Sequence, residues 1–176
     1  MQSLFSGFLN RHLDEINEYL ASFFNDQTDN ADIDAYLYAP LARFSANAGK
    51  AVGGDFSAAR SAAAAIEHFQ SAALIHDDIA DNGRLRRGKP CMYITEGEGI
   101  AINCGDLALS LVTGAMLRDD SLDDHMRVRL LRELVDMTTR TIEGQALDLG
   151  WVRDGRFDLT VEDYLQMATL KTAYYS

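Results

Sequence analysis

Asp77-Asp78-Ile79-Ala80-Asp81 places three carboxylates at the end of an alanine-rich stretch, Ser57 to Asp81, that lacks proline and reads as a helix. Asp77 and Asp81 are four residues apart and share a face, with Asp78 about a third of a turn away. Carboxylates near a helix C-terminus each lose up to about 1 kcal/mol against the backbone dipole, and they repel one another. A hard divalent cation reverses both penalties. Mg²⁺ suits the cluster, because it takes oxygen ligands, keeps several waters and is commonly completed by substrate phosphates. Gly83, the expected left-handed helix stop, opens a predicted loop, Gly83-Arg84-Leu85-Arg86-Arg87-Gly88-Lys89-Pro90, with four cations. Arginine grips phosphate oxygens in a two-pronged fork, so this pairing points to a metal-bridged polyphosphate. The plain alternatives are a solvated acidic helix end and a self-neutralising surface cluster of Asp and Arg.

Other readings of the same residues separate on spacing. An EF-hand loop opening at Asp78 would put Ala80 at its third position and Lys89 at its twelfth, where oxygen ligands are required, and is excluded. His68 and the adjacent His76-Asp77 leave a His-Asp-type metal phosphohydrolase as the rival enzyme. Histidines eight apart on an alanine-rich helix are more often packed or surface-exposed than ligands. Further on, Gln145 and Asp148 follow Gly144 three residues apart and put a hydrogen-bonding pair on one helix face. Lys171-Thr172 interrupts an apolar helix, where a lysine either snorkels to solvent or reaches a bound phosphate.

The elements that must position these groups are helices. The chain has 176 residues, 47% hydrophobic, with prolines only at 40 and 90 and long stretches of helical apolar spacing, which predicts an all-α domain. Phe5, Leu9, Leu13, Ile16, Leu20 and Phe23 mark a first core-facing helix; a second passes through Asp34, Leu37, Leu41 and Phe44 to Gly49-Lys50. Gly99 to Leu117 is apolar but carries Asp106 and three glycines, and reads as a buried bundle helix, not a membrane span. Ser121 is the expected N-cap of a long helix through Met126, Leu130, Leu134 and Met137 to Leu149. A loop from Trp151 to Leu159 follows, and Thr160 with Asp163 forms a capping box for the last helix. Net charge of −11 argues against nucleic acid or anionic membranes as partners. Local arginines and metal can still hold a phosphate, because screening acts over about 8 Å. Cys91 and Cys104 offer neither metal spacing nor a disulfide framework, and no signal peptide is visible, so a cytoplasmic setting is expected.

In order and spacing these strings resemble the trans-isoprenyl diphosphate synthases, the polyprenyl synthetase family. The resemblance runs from about Tyr36 onward: Gly49-Lys50, Gln70, the DDxxD string followed by Arg86-Arg87-Gly88, Gly144-Gln145-x-x-Asp148, and Lys171-Thr172. It implies an antiparallel helical bundle of the isoprenoid synthase type around a central cavity, ordinarily a homodimer. Asp77 and Asp81, with Asp78 adjacent, would hold Mg²⁺ ions bridging an allylic diphosphate; Arg86 and Lys171 would bind that diphosphate, with Thr172 and Gln145 nearby. Isopentenyl diphosphate would be held by Lys50, Gln70 and Arg87. Ala73 and Ala72, four and five residues before Asp77, would leave the product tunnel open, with Phe69 as a deeper floor. A geranylgeranyl-type product of twenty carbons or more is therefore expected over a fifteen-carbon one.

Two departures qualify the resemblance. Ala51-Val52-Gly53-Gly54 stands after Lys50 where the family continues with an Arg-x-Arg-Pro element, and Ser176 precedes the family's second aspartate-rich motif. The expectation is a single prenyltransferase domain lacking a segment after Lys50 and its C-terminal half. A non-catalytic subunit and a cyclase are the further alternatives, although Gln70 and Arg87 argue against a cyclase.

Overall fold

The computed structural model describes residues 28–41 and 56–173 together with Glu18 and Ser22, and the side chains of all these apart from 56–60. The Phe5 to Phe23 stripe, Phe44 and Gly49-Lys50 lie outside the described residues. The described residues form two compact units, one within residues 1–123 and one within 124–176.

In the first unit Asn30 caps α1 (Ala31–Ile33), accepting from the backbone of Asp32 and Ile33. The chain widens at once into a π-helical turn, Asp34–Tyr38, just ahead of Pro40. Proline has no N–H for the carbonyl four residues back and its ring crowds that carbonyl, so the backbone there must open. The Cys104 thiol approaches the loosened carbonyls, at 3.5 Å from Leu37 O and 4.0 Å from Tyr36 O.

The body of the unit is α2 (Phe56–Ala80) against α4 (Glu98–Leu117). Ser61, Ala64, Ala65, His68, Ala72, Ile75 and Asp78 recur at helical spacing on the buried face of α2, and Ala101, Cys104, Ala108, Leu111 and Ala115 do so on α4. Most of these are small, which lets the helices approach closely. They run antiparallel: His76 meets Asp106 near the start of α4, and Arg118 past its end is felt by His68. Eight of the twenty residues of α4 are buried, as expected of a bundle helix. Between the helices lie β1 (Leu85–Arg86), β2 (Lys89–Pro90) and α3 (Met92–Thr95). The strands pair antiparallel, Arg86 opposite Lys89. Arg87 and Gly88 both take positive φ, 53° and 78°, the geometry of a type I′ hairpin turn. The predicted basic loop is therefore a small hairpin inside an otherwise helical chain.

His68 is fully buried, and burial, then the positive charge of Arg118, lowers its pKa to about 4 from an ordinary 6.5. Between these values only the unfolded chain takes up the proton. Stability is thus present above about pH 6.5 and is lost as pH falls towards 4, by up to about 3 kcal/mol. Thermal unfolding measured from pH 7 to 4.5 is expected to show a shallower acid decline for His68→Met than for the unaltered protein.

The second unit is α5 (Asp124–Arg153) and α6 (Val161–Lys171). Ser121 is not the cap of α5: its hydroxyl donates to Asp119 Oδ1 at 2.5 Å, and the helix begins only at Asp124. Trp151 falls within α5 and not in the following loop, since the turn is made by Gly155 at φ 61°. The capping box of α6 forms as its sequence predicts, Thr160 N donating to Asp163 Oδ2 at 2.9 Å and Asp163 N to Thr160 Oγ1 at 3.1 Å. Met137, Thr141 and Gly144 form the buried stripe of α5, and Met167 is the buried residue of α6.

Candidate active site

The carboxylates stand where α2 ends, and the ending is built to bring cations back to them. Asn82 takes the left-handed conformation, φ 52°, in place of the expected Gly83. Its N–H donates to Ile79 O at 3.2 Å and that of Gly83 to Asp78 O at 2.8 Å, the paired bonds of a Schellman ending. Gly83 serves by having no side chain: a Cβ there would lie 3.2 Å from Asp78 Oδ1. The hairpin then folds Arg86 against the helix end.

Asp77, Asp78 and Asp81 are not equivalent. The Asp78 side chain is 3% exposed, and its Oδ1 accepts from Arg86 Nε at 3.0 Å and from a terminal guanidinium nitrogen at 2.5 Å. Oδ2 is buried with no hydrogen-bond partner among the described residues. The Cys91 thiol faces the same carboxylate; burial first, then Asp78, pushes its pKa up. The bond to Asp78 raises the pKa of Arg86 in turn, so this guanidinium stays charged. Asp77 is more open, its Oδ2 at 3.8 Å from the same guanidinium, and Asp81 is exposed. Asp77 and Asp81 therefore offer oxygen donors one turn apart on one face. Among the described residues no three His, Cys, Asp or Glu side chains converge into a cage. A pair of open carboxylates of this kind fits a hard cation that completes its shell with water and phosphate.

Removing Arg86 leaves the Asp78 carboxylate buried and uncompensated. Arg86→Met is expected to lower stability by about 2 kcal/mol, less than a wholly buried pair because the guanidinium is partly solvated, as chemical denaturation would read.

The remaining expected residues of this unit lie along α2, apart from Arg87 in the hairpin turn. Gln70 is half-buried and Arg87 is exposed. Glu67, one turn before Gln70, was missed by sequence reading; burial raises its pKa and the charge of Arg87 opposes the rise. Phe69 is buried at 2% exposure. Ala72 is wholly buried in the packed cluster with Leu41, Ile75, Ala101 and Cys104, so it borders filled space and not a tunnel. Ala73 is half-buried. The two histidines do not act together: His68 is sealed in the interior, and His76 stacks over Gly105 with Nε2 3.5 Å from Asp106.

In the second unit Lys171 Nζ donates to Asp148 Oδ2 at 2.6 Å, both side chains being half-buried. Gly144 makes this contact possible. A Cβ on Gly144 would lie 2.7 Å from Lys171 Cα and 2.8 Å from the Leu170 carbonyl carbon, so α6 rests directly on the α5 backbone there. Gln145 is half-buried beside it, and Thr172 closes α6, its N–H donating to Ala168 O.

Residues 41–176 match the profile of the polyprenyl synthetase family. The chain is 42% identical over 124 residues to the short chain isoprenyl diphosphate synthase of Methanothermobacter thermautotrophicus, covering 70% of this chain and 37% of that protein. It is 37% identical over 123 residues to the geranylgeranyl diphosphate synthase of Saccharolobus solfataricus, covering 69% and 36%. Its fold superposes on the geranylgeranyl pyrophosphate synthetase of Pyrococcus horikoshii with TM-score 0.77 at 29% identity, over 94% of this chain and 54% of that one. A geranyltransferase from Legionella pneumophila gives TM-score 0.81 at 25% identity, over 98% and 65%. The chain spans little more than a third of the length of these two curated relatives. With an all-α fold of the isoprenoid synthase type and its aspartates, glycines and cations in the family's order, the chain belongs to the polyprenyl synthetase family.

Proposed function

We propose that the protein is a Mg²⁺-dependent prenyltransferase that joins isopentenyl diphosphate head to tail with an allylic diphosphate, giving a product of twenty carbons or more. The observation that carries the reading is the end of α2, where Asp77 and the exposed Asp81 lie one turn apart and the hairpin returns Arg86 to Asp78 and Asp77, in a chain of this family. Mg²⁺ held by Asp77 and Asp81 would supply positive charge at the diphosphate oxygens. Arg86, held charged by Asp78, stabilises the negative charge that grows on the leaving diphosphate as its C–O bond breaks. Lys171, which Asp148 holds within the second unit, is assigned through the family to diphosphate binding, with Thr172 and Gln145. Gln70 and Arg87, with Lys50, are assigned to isopentenyl diphosphate. Its double bond attacks the allylic carbon, and loss of a proton to the departing diphosphate completes a five-carbon addition.

Ala73, and not Ala72, is the small residue assigned to the growing chain, with Phe69 further from the aspartates. A homodimer and a cytoplasmic setting belong to the proposal through the family. A phosphohydrolase finds no support in the placing of His68 and His76. Incubation with an allylic primer, isopentenyl diphosphate and Mg²⁺ tests the reading: prenyl chains longer by five-carbon units support it, and release of inorganic phosphate from monoesters or nucleotides without chain growth opposes it.

A further inference from the structure

We propose that Asp78 is the positioning residue for Arg86 and not a metal ligand, so that the three aspartates divide between two tasks. The inference rests on the prenyltransferase reading and deepens it. A hydrated divalent cation needs oxygens that open to water and to phosphate. Asp77 and Asp81 provide them, whereas the Asp78 side chain is 3% exposed and turned away under the hairpin. Its Oδ1 takes Nε and one terminal nitrogen of Arg86 together. Guanidinium has five N–H donors, so holding two of them on Asp78 fixes the plane of the fork and leaves three for phosphate oxygens.

The surrounding chain is shaped to this contact. Gly83 leaves room beside Oδ1, where a Cβ would come within 3.2 Å. Asn82 at φ 52° turns the chain, and the positive φ of Arg87 and Gly88 brings strand β1 back with Arg86 upon it. Cys91, buried at 1% exposure, closes the carboxylate off from water. In water an Asp–Arg pair contributes little; with its carboxylate buried and its guanidinium only partly solvated, this pair is better held. Asp78 thus supplies a pre-set anion fork, and the helix end carries metal and phosphate recognition on separate side chains.

The two roles predict opposite signs in one binding experiment. Inorganic pyrophosphate is titrated into the protein by calorimetry in metal-free buffer containing a chelator, for the unaltered protein and for Asp77→Asn, Asp78→Asn, Arg86→Gln and the double variant Asp78→Asn with Arg86→Gln. Each aspartate change removes negative charge, which alone favours an anion. Asp77→Asn is expected to leave pyrophosphate binding unchanged or tighter, and Asp78→Asn to weaken it about tenfold, with the double variant no weaker than Arg86→Gln. In turnover assays Asp77→Asn raises the Mg²⁺ concentration for half-maximal rate, whereas Asp78→Asn raises KM for the allylic diphosphate and leaves that Mg²⁺ concentration in place. Arg86→Lys, which keeps the charge but loses the fork, is expected to copy Asp78→Asn and serves if the latter fails to fold. Tighter metal-free binding in Asp78→Asn, or additive losses in the double variant, overturns the assignment. Absence of prenyl transfer by the unaltered protein would overturn the reaction alone, since pyrophosphate binding is read without turnover.

Discussion

Replacing Gly144 by alanine is expected to lower the thermal unfolding midpoint by several degrees and to uncouple Lys171 from Asp148. The added methyl group would meet the α6 backbone at Lys171 and Leu170, which cannot rotate aside as a side chain would. Relief requires the helices to part or slide. Overpacking of this kind costs about 1–3 kcal/mol, or roughly 2–4 °C per kcal/mol for a chain of this size. Gly150, on the same helix with nothing within 4 Å of its Cβ position, is the control. Gly150→Ala should be neutral or stabilising by about 1 kcal/mol, because alanine is the better helix former. Lys171 would move with α6, so Gly144→Ala should also weaken pyrophosphate binding. Equal behaviour of the two variants in thermal unfolding would contradict the close crossing.

Asp77→Ala carries the largest expected effect on activity. Loss of one oxygen donor at the proposed metal-diphosphate site should lower kcat by about a hundredfold or more, as losing a group that stabilises developing charge commonly does. Metal-free stability should hold or rise by a few tenths of a kcal/mol, since the change relieves repulsion at an unfavourable helix terminus. Steady-state kinetics beside thermal unfolding in chelator would separate the two effects. A large loss of stability without metal would show Asp77 to be structural.

What was legible in the sequence was whatever local chemistry determines. The DDxxD helix was expected over Ser57 to Asp81 and spans Phe56–Ala80; the capping box at Thr160 and the core role of Gly99 to Leu117 likewise follow from side chains acting on nearby backbone or from periodic burial. Features that depend on distant partners were not legible. Arg87-Gly88 is a weak hairpin signal, since an arginine at positive φ is disfavoured unless packing imposes it. Asn82 displaced Gly83 as the left-handed residue because the glycine was needed one position later, against Asp78. Ser121 looked like a cap but had a closer partner in Asp119. For the site, the identity of the acidic and basic residues could be read directly. Their differing burial could not, because the sealing of Asp78 and the filled space around Ala72 arise from packing across α2, α3 and α4.

Prenyl transfer itself is tested most directly by giving the purified protein labelled isopentenyl diphosphate, an allylic diphosphate primer and Mg²⁺, and resolving the products by chain length. Labelled prenyl diphosphates of twenty carbons or more, abolished by chelator and greatly reduced in Asp77→Ala, are predicted. Primer and isopentenyl diphosphate recovered unjoined at saturating Mg²⁺ would contradict the account.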